Sequence, residues 1–215
     1  MPIRLTKIDE LTFPDHYRLD GTDECYFVGE YTARAGFNYS FTNDLISNLK
    51  KGLDRKDRIE WKYKGYAISL AASQLREVLP SEILNAATFV PVPPSYERTD
   101  PLYDDRIIQI LRKLGDGVDI RELVIQTNTY DASHGLEVRL GPDELYVLYR
   151  IDEELAKPNP VSFVVVDDVL TTGAHFKAMK MILNERFPDV PLMGVFVARR
   201  IPERLVPVPI PKEEL

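Results

Sequence analysis

The chain has 215 residues, 27 Lys and Arg against 34 Asp and Glu for a formal charge of −7, and a single cysteine. Its length suits one large domain, or one domain with an appendage; Cys25 alone excludes an internal disulfide or a cysteine cluster for zinc or iron–sulfur. The acidic balance argues against general nucleic-acid binding, and the absence of an apolar run near ~18 residues, or of a signal peptide's apolar stretch at the start, predicts a cytoplasmic protein off the membrane.

In chain order, Tyr26-Phe27-Val28-Gly29-Glu30-Tyr31 reads as an early strand. A helix from Thr42 or Asn43, the candidate N-caps, sets Leu45, Ile46, Leu49 and Leu53 on one side. The charged run from Lys50 to Lys64 reads as a solvated face. A second helix carries Ile68, Ala71, Ala72, Leu75 and Leu79 at helical spacing and ends near Pro80. Tyr26, Trp61, Tyr63 and Tyr66 read as aromatic anchors pinning this region to a sheet, with base stacking as the functional alternative.

From residue 81 the rhythm is regular. Thr88-Phe89-Val90-Pro91-Val92 is a buried strand stopped by Pro93-Pro94. Ile107, Ile110, Leu111 and Leu114 mark a helix closed by Gly115. Glu122-Leu123-Val124-Ile125 is the next strand. A polar stretch over 127–142, with His134, Glu137 and Arg139, reads as an exposed loop, with a mobile lid as the alternative, before a helix through Leu145, Leu148 and Leu155. Ser162–Val166 is a strand, Phe176, Met179, Ile182, Leu183 and Phe187 line a helix from about Gly173, and Leu192–Ala198 is the last strand. Continuous apolar strands alternating with helices predict an α/β, doubly wound, mainly parallel sheet over residues 81–200. Residues 1–80 read as a hood-like N-terminal appendage over its ligand edge. Residues 201–215, with Pro202, Pro207, Pro209 and Pro211, read as an extended tail.

The segment Val164-Val165-Val166-Asp167-Asp168-Val169-Leu170-Thr171-Thr172-Gly173-Ala174-His175 carries chemistry. A buried strand delivers two carboxylates to the ligand edge, and a small hydroxylated turn then opens a helix. Unpaired N–H groups and the helix dipole there suit an anion. Gly173 admits a phosphate close to the backbone. Two carboxylates suit sugar hydroxyls or a hydrated Mg²⁺ beside that phosphate. A strand whose acids merely cap a turn needs one Asp, not two.

The run Asp-Asp-Val-Leu-Thr-Thr-Gly-Ala resembles the phosphoribosyl-pyrophosphate (PRPP) signature of type I phosphoribosyltransferases. More loosely, Leu45–Lys51 followed by Val90-Pro91-Val92-Pro93 resembles the branch typified by competence protein F. The likeness follows the order of elements over residues 26–200, and only 163–175 is specific. It implies that Asp167 and Asp168 hold the ribose hydroxyls, directly or through Mg²⁺-bound water, as catalytic and metal-holding residues. Thr171, Thr172, Gly173 and Ala174 would cradle the 5′-phosphate, with His175 beside them where the family usually has Thr. Ser95, Tyr96 and Arg98 would lie at the family's pyrophosphate loop, although Asp100–Arg106 replaces the Arg-Gly-Phe-Asn-type segment of that branch. Thr171 stands where purine-salvage relatives carry an acid, so no side-chain base is evident.

The function so implied is Mg²⁺-dependent transfer of phosphoribosyl from PRPP to a nitrogenous acceptor, with release of pyrophosphate. The alternatives are a non-catalytic PRPP- or nucleotide-binding regulator and an interaction module docking through the proline-rich tail. Aromatic residues outside the sheet allow a homodimer. Asp104-Asp105 read as solvated, and His16 and Cys25 receive no role.

Overall fold

A computed structural model describes residues 3–127 and 140–202 of the chain. The strands are β1 (Thr6–Lys7), β2 (Cys25–Thr32), β3 (Thr88–Pro91), β4 (Asp119–Ile120), β5 (Val124–Gln126), β6 (Tyr149–Ile151), β7 (Phe163–Leu170) and β8 (Leu192–Ile201). The helices are α1 (Phe41–Leu49), α2 (Lys62–Val78), α3 (Ser81–Ala86), α4 (Arg106–Arg112), α5 (Pro142–Leu148) and α6 (Ala174–Arg186). Among the described residues, no helix is long and apolar enough to cross a membrane.

Six strands form one sheet in the order β1-β2-β8-β7-β3-β4, with β1 antiparallel to β2 and every other neighbour parallel. The fold is α/β with a mostly parallel sheet flanked by helices, an arrangement compatible with double winding. On one face α1, α2 and α4 bury Leu45, Leu49, Ile68, Leu75 and Ile110 against Phe89, Val164, Val166 and Val195. On the other, α6 buries Phe176, Met179 and Leu183 against Phe163, Val165 and Phe196, joined by Leu145 of α5. Over Phe163–Val166 the two faces are filled by alternate residues of β7, as the two-residue period of a strand requires. That is why the central strand is apolar at every position up to Asp167.

Topology also fixes where a ligand belongs. The chain leaves β3 toward β4 on one side, whereas it leaves β7 toward β8 on the other. The two connections diverge between neighbouring strands β3 and β7, and the crevice beyond their C-terminal ends is the switch point of the sheet.

Three expectations are corrected. Residues 1–80 are not an appendage over the ligand edge: β2 pairs with β8 along Cys25–Thr32 inside the main sheet, and α1 and α2 cover a face of it. The mixed polarity of Cys25–Thr32 reflects a strand close to the sheet's rim, which needs no continuous apolar run. Second, Val124–Gln126 pairs antiparallel with Tyr149–Ile151 in a separate ribbon, because Asp119–Ile120 already occupies the free edge of β3. Third, α5 stops at Leu148, where the ribbon begins, so Leu155 lies beyond it. Ile201 belongs to β8; the rest of the tail beyond Pro202, and His134, Glu137 and Arg139, lie outside the described residues.

The start of α1 shows how local sequence ties these layers together. Ser40 Oγ caps the helix by accepting from the Asn43 N–H at 3.1 Å. The buried Asn43 amide donates to the carbonyls of Thr32 and Gly36, and its oxygen accepts from the Thr32 N–H at 3.1 Å. The expected cap residue instead stitches α1 to the end of β2.

Candidate functional site

β7 carries Asp167 and Asp168 past the end of β3, whose Pro91 pairs with Val166. Successive residues of a strand point to opposite faces, so the two acids part company. Asp168 turns to the side of α1 and α4. There its Oδ2 accepts from Arg106 Nε at 2.8 Å, and its Oδ1 lies 3.2 Å from Lys50 Nζ. Asp168 is buried, 2% exposed. Burial alone would raise its carboxyl, but Lys50 and Arg106 outweigh that and hold it far below the usual carboxylate range.

Asp167 shares its register position with Phe196, which belongs to the core on the α6 side. It is half-buried, and one of its oxygens accepts from the Asp168 N–H at 2.7 Å. Burial, reinforced by the Asp168 charge, pushes its carboxyl well above the usual range. The doublet therefore comprises one carboxylate fixed in an ion-pair network and one held at the crevice without a cation in hydrogen-bonding contact among the described residues.

The network around Asp168 extends inward. Arg106 also donates to Asp104 at 2.7 Å. Asp104 accepts from Lys64 at 2.8 Å, and Lys64 donates further to the carbonyls of Leu49 and Lys51 at 2.7 and 2.9 Å. Lys64 is 3% exposed and so ends α1 from within, satisfying carbonyls that have no partner in the helix. Burial lowers its ammonium, and Asp104 opposes the shift. This corrects the reading of Lys50–Lys64 and Asp104 as solvated faces: Lys64 and Asp104 are interior, and Lys50 stands at the site, half-exposed, on the C-terminus of α1.

The turn after β7 behaves as its composition suggests. Gly173 adopts φ +91°, a left-handed conformation, and a Cβ there would lie 2.6 Å from a Leu19 methyl. Thr172 Oγ1 accepts from the Ala174 N–H at 3.3 Å. Among the described residues nothing accepts from the N–H groups of Thr171, Thr172, Gly173 or His175, which cluster at the positive end of the 13-residue α6. The turn's carbonyls are held by residues of the 12–20 segment. His16 Nδ1 donates to Thr171 O, and the Arg18 N–H donates to Thr172 O at 2.9 Å. Arg199 anchors the same segment through Asp15 at 2.9 Å. His16 is fully buried, burial lowers its pKa, and its Nε2 has no partner among the described residues.

His175 Nδ1 and the Tyr149 hydroxyl are hydrogen-bonded at 3.0 Å. Burial, aided by the charge of Lys50, lowers the imidazole to about 4, so it is neutral at pH 7. Tyr63 and Tyr66 are exposed, at 46% and 66%, and so do not anchor α2 to the sheet. Cys25 is buried, and burial raises its thiol.

Tyr96 and Arg98 line a separate cavity at the end of β3, and the Ser95 carbonyl accepts from Gln126 at its margin. Arg98 lies 3.4 Å from Glu122, which also accepts from the Tyr103 hydroxyl at 2.9 Å. The cavity adjoins the acid doublet through Asp104, which lines it and binds Arg106. Sequence reasoning missed Lys50, Lys64, Arg106, His16 and Tyr149. Only Lys50 left a local trace, a cation at the end of an amphipathic helix.

No family model matches the chain, and no curated protein matches it.

As a donor set for Mg²⁺, the described residues include no cluster of three or more metal-ligating side chains, and Asp168 is already spent on two cations. Asp167 remains. One carboxylate, with water and substrate oxygens completing the shell, fits an ion that gives up its waters reluctantly. The residues suit a Mg²⁺ that travels with a polyphosphate rather than one held by the protein alone.

Proposed function

We propose that this chain is a type I phosphoribosyltransferase-like enzyme that binds PRPP at the β3–β7 switch point and transfers its phosphoribosyl group to a nitrogenous acceptor. The observation that carries the reading is the pairing of an available carboxylate, Asp167, with a turn of unpartnered N–H groups at the start of α6, on one edge of a parallel sheet. A phosphate on the turn and a ribose beside Asp167 would satisfy both.

In the reaction the C1–oxygen bond to pyrophosphate breaks and a C1–nitrogen bond forms; the acceptor's proton passes to solvent, and pyrophosphate leaves with the bonding electron pair. Mg²⁺ carried on the diphosphate supplies charge neutralisation of that leaving group. The protein's share is positioning. The α6 turn fixes the 5′-phosphate, and Asp167 orients the ribose hydroxyls. Lys50 adds a half-exposed cation on the pyrophosphate side, and Asp168 holds Lys50 and Arg106 in place. A neutral His175 contributes a ring nitrogen beside the phosphate without competing for its charge. With pyrophosphate a good leaving group, the lack of an evident base does not prevent turnover.

The confinement of Asp168 by two cations also favours a second reading, a regulator that binds PRPP and leaves it intact. Calorimetric titration of PRPP, with and without Mg²⁺, tests the shared claim. Binding that requires Mg²⁺ and vanishes in Asp167→Asn is expected; no binding by the folded wild type overturns it. Pyrophosphate release with nitrogenous acceptors then separates enzyme from regulator.

A further inference from the structure

The end of β3 opens on a cavity of about 190 Å³, bounded by the 92–105 segment, the start of α4 and β5. A cavity of roughly 150 Å³ is enough for benzene, so this one has room for a single small ring. Pro93, Pro94, Tyr96 and Tyr103 supply flat, weakly polar surface. Flat walls of this kind suit a planar guest.

The charges in its lining decide the guest's sign. Four carboxylates, Glu97, Asp104, Asp105 and Glu122, stand against one cation, Arg98. Asp104 is occupied by Lys64 and Arg106. Among the described residues, the Asp105 side chain accepts only from a neutral partner, the Gln109 amide, at 2.6 Å. Glu122 is engaged through Oε1 alone, by Tyr103 and by Arg98; among the described residues its Oε2 has no partner, and its side chain is only 22% exposed. Burial, with Glu122 beside it, lifts the Tyr103 phenol to about 12, so that side chain remains a proton-bearing donor committed to Glu122. An anion entering here would meet Asp105, which no described cation pairs, and an arginine already in use. A diphosphate is therefore the wrong guest for this cavity, although Tyr96 and Arg98 line it. A ring bearing N–H donors or a positive charge is the right one.

We propose that the cavity binds a small planar cation or N–H-rich ring, with Glu122 as its principal hydrogen-bond acceptor. The further assignment of that guest as the acceptor nucleophile rests on the function proposed above. It is supported by the adjacency of β3 to β7 and by the short path Asp104–Arg106–Asp168 between cavity and acid doublet. The cavity's preference for positive guests stands independently.

The test uses a matched pair of probes, benzamidine and benzoate, of nearly equal size and opposite charge. Each is titrated into the full-length chain and followed by backbone amide NMR. Benzamidine is expected to shift the resonances of residues 95–99 and 122–126, and benzoate to leave them in place. Glu122→Gln, which keeps the shape and an acceptor for Tyr103, is expected to weaken benzamidine about ten-fold, the loss of one charge-assisted hydrogen bond. Asp105→Asn serves as the second variant should Glu122→Gln fail to fold. Asp167→Asn is expected to leave benzamidine binding unchanged. Equal binding of benzoate, no binding of benzamidine, or indifference to both carboxylate substitutions overturns the proposal. PRPP binding without benzamidine binding sinks the cavity assignment and spares the proposed function. Benzamidine binding without PRPP binding does the reverse.

Discussion

The two members of the acid doublet respond oppositely to the same substitution. Asp168→Asn removes the anion shared by Arg106 and Lys50, at 2.8 and 3.2 Å. Breaking a buried ion pair from one side costs about 3–5 kcal/mol. Here the cost is smaller, because Arg106 keeps Asp104 at 2.7 Å and Lys50, with 46% of its side chain exposed, is rehydrated on release. A loss of about 2 kcal/mol is expected at pH 7. Because folding depresses the Asp168 carboxyl, its contribution is complete above the unfolded value near ~4 and is lost as pH falls toward the folded one. The deficit of Asp168→Asn should therefore shrink below pH 4. Asp167 runs the other way. Its carboxyl is raised in the folded state, so wild-type stability falls as pH climbs from the unfolded value through the folded one. Asp167→Asn removes that decline and should be at least as stable as wild type at pH 8. Urea unfolding followed by Trp61 fluorescence and circular dichroism, at several pH values, measures both. A stable Asp168→Asn, or an Asp167→Asn weaker than it, would refute this division of roles. The same contrast makes Asp167→Asn the cleaner control for ligand binding.

Three further outcomes are expected. Gly173→Ala forces a Cβ into Leu19 from a left-handed backbone and should cost about 1–3 kcal/mol; thermal unfolding reads the loss, and a phosphate titration reads the damage to the turn. Lys64→Met leaves the Leu49 and Lys51 carbonyls and Asp104 without their buried donor, for about 3 kcal/mol in urea unfolding at pH 7; a change within 0.5 kcal/mol (roughly the scatter of surface substitutions) would show the network to be incidental. His175, neutral in the fold down to about 4, binds fewer protons than its unfolded counterpart between about 4 and ~6.5. Wild type should then lose about 2 kcal/mol relative to His175→Gln on going from pH 7 to pH 5, and parallel pH profiles would contradict the burial of the ring.

What the sequence made legible was whatever it encodes locally. The Phe163–Val166 run, the small turn and the amphipathic stretch after it each carry their own period and chemistry, and β7, the Thr171–Gly173 turn and α6 follow them. The role of Val124–Gln126 was not legible. A short apolar run says that it is buried and says nothing of which edge it will find, and β4 had taken the edge of β3. Lys64 was misread for a related reason. Its neighbours in sequence are charged, but its partners lie at Leu49, Lys51 and Asp104, which only the packing of α1, α2 and α4 brings together. His16 is the plainest case: nothing near it suggests a contact with Thr171, far along the chain.

The strand period gives the acid doublet a meaning that composition does not. Two adjacent carboxylates on a loop would face one ligand together, whereas on an extended strand they face opposite sides of the sheet. Asp168 looks to α1 and α4 and is matched by Arg106 and Lys50; Asp167 shares its register position with Phe196, which belongs to the core on the α6 side. The first of these requirements is electrostatic. Arg106 and Lys50 stand at the ends of helices from one face, and Asp168 is the carboxylate they share there. With Asp168 in place, Asp167 keeps a carboxylate at the crevice that burial makes costly and that no described cation relieves by direct contact. A group held in that condition by its surroundings is the kind of strain that a bound ribose or a metal ion would relieve. The sequence Asp-Asp thus encodes first the group kept available, Asp167, and then its anchor, Asp168.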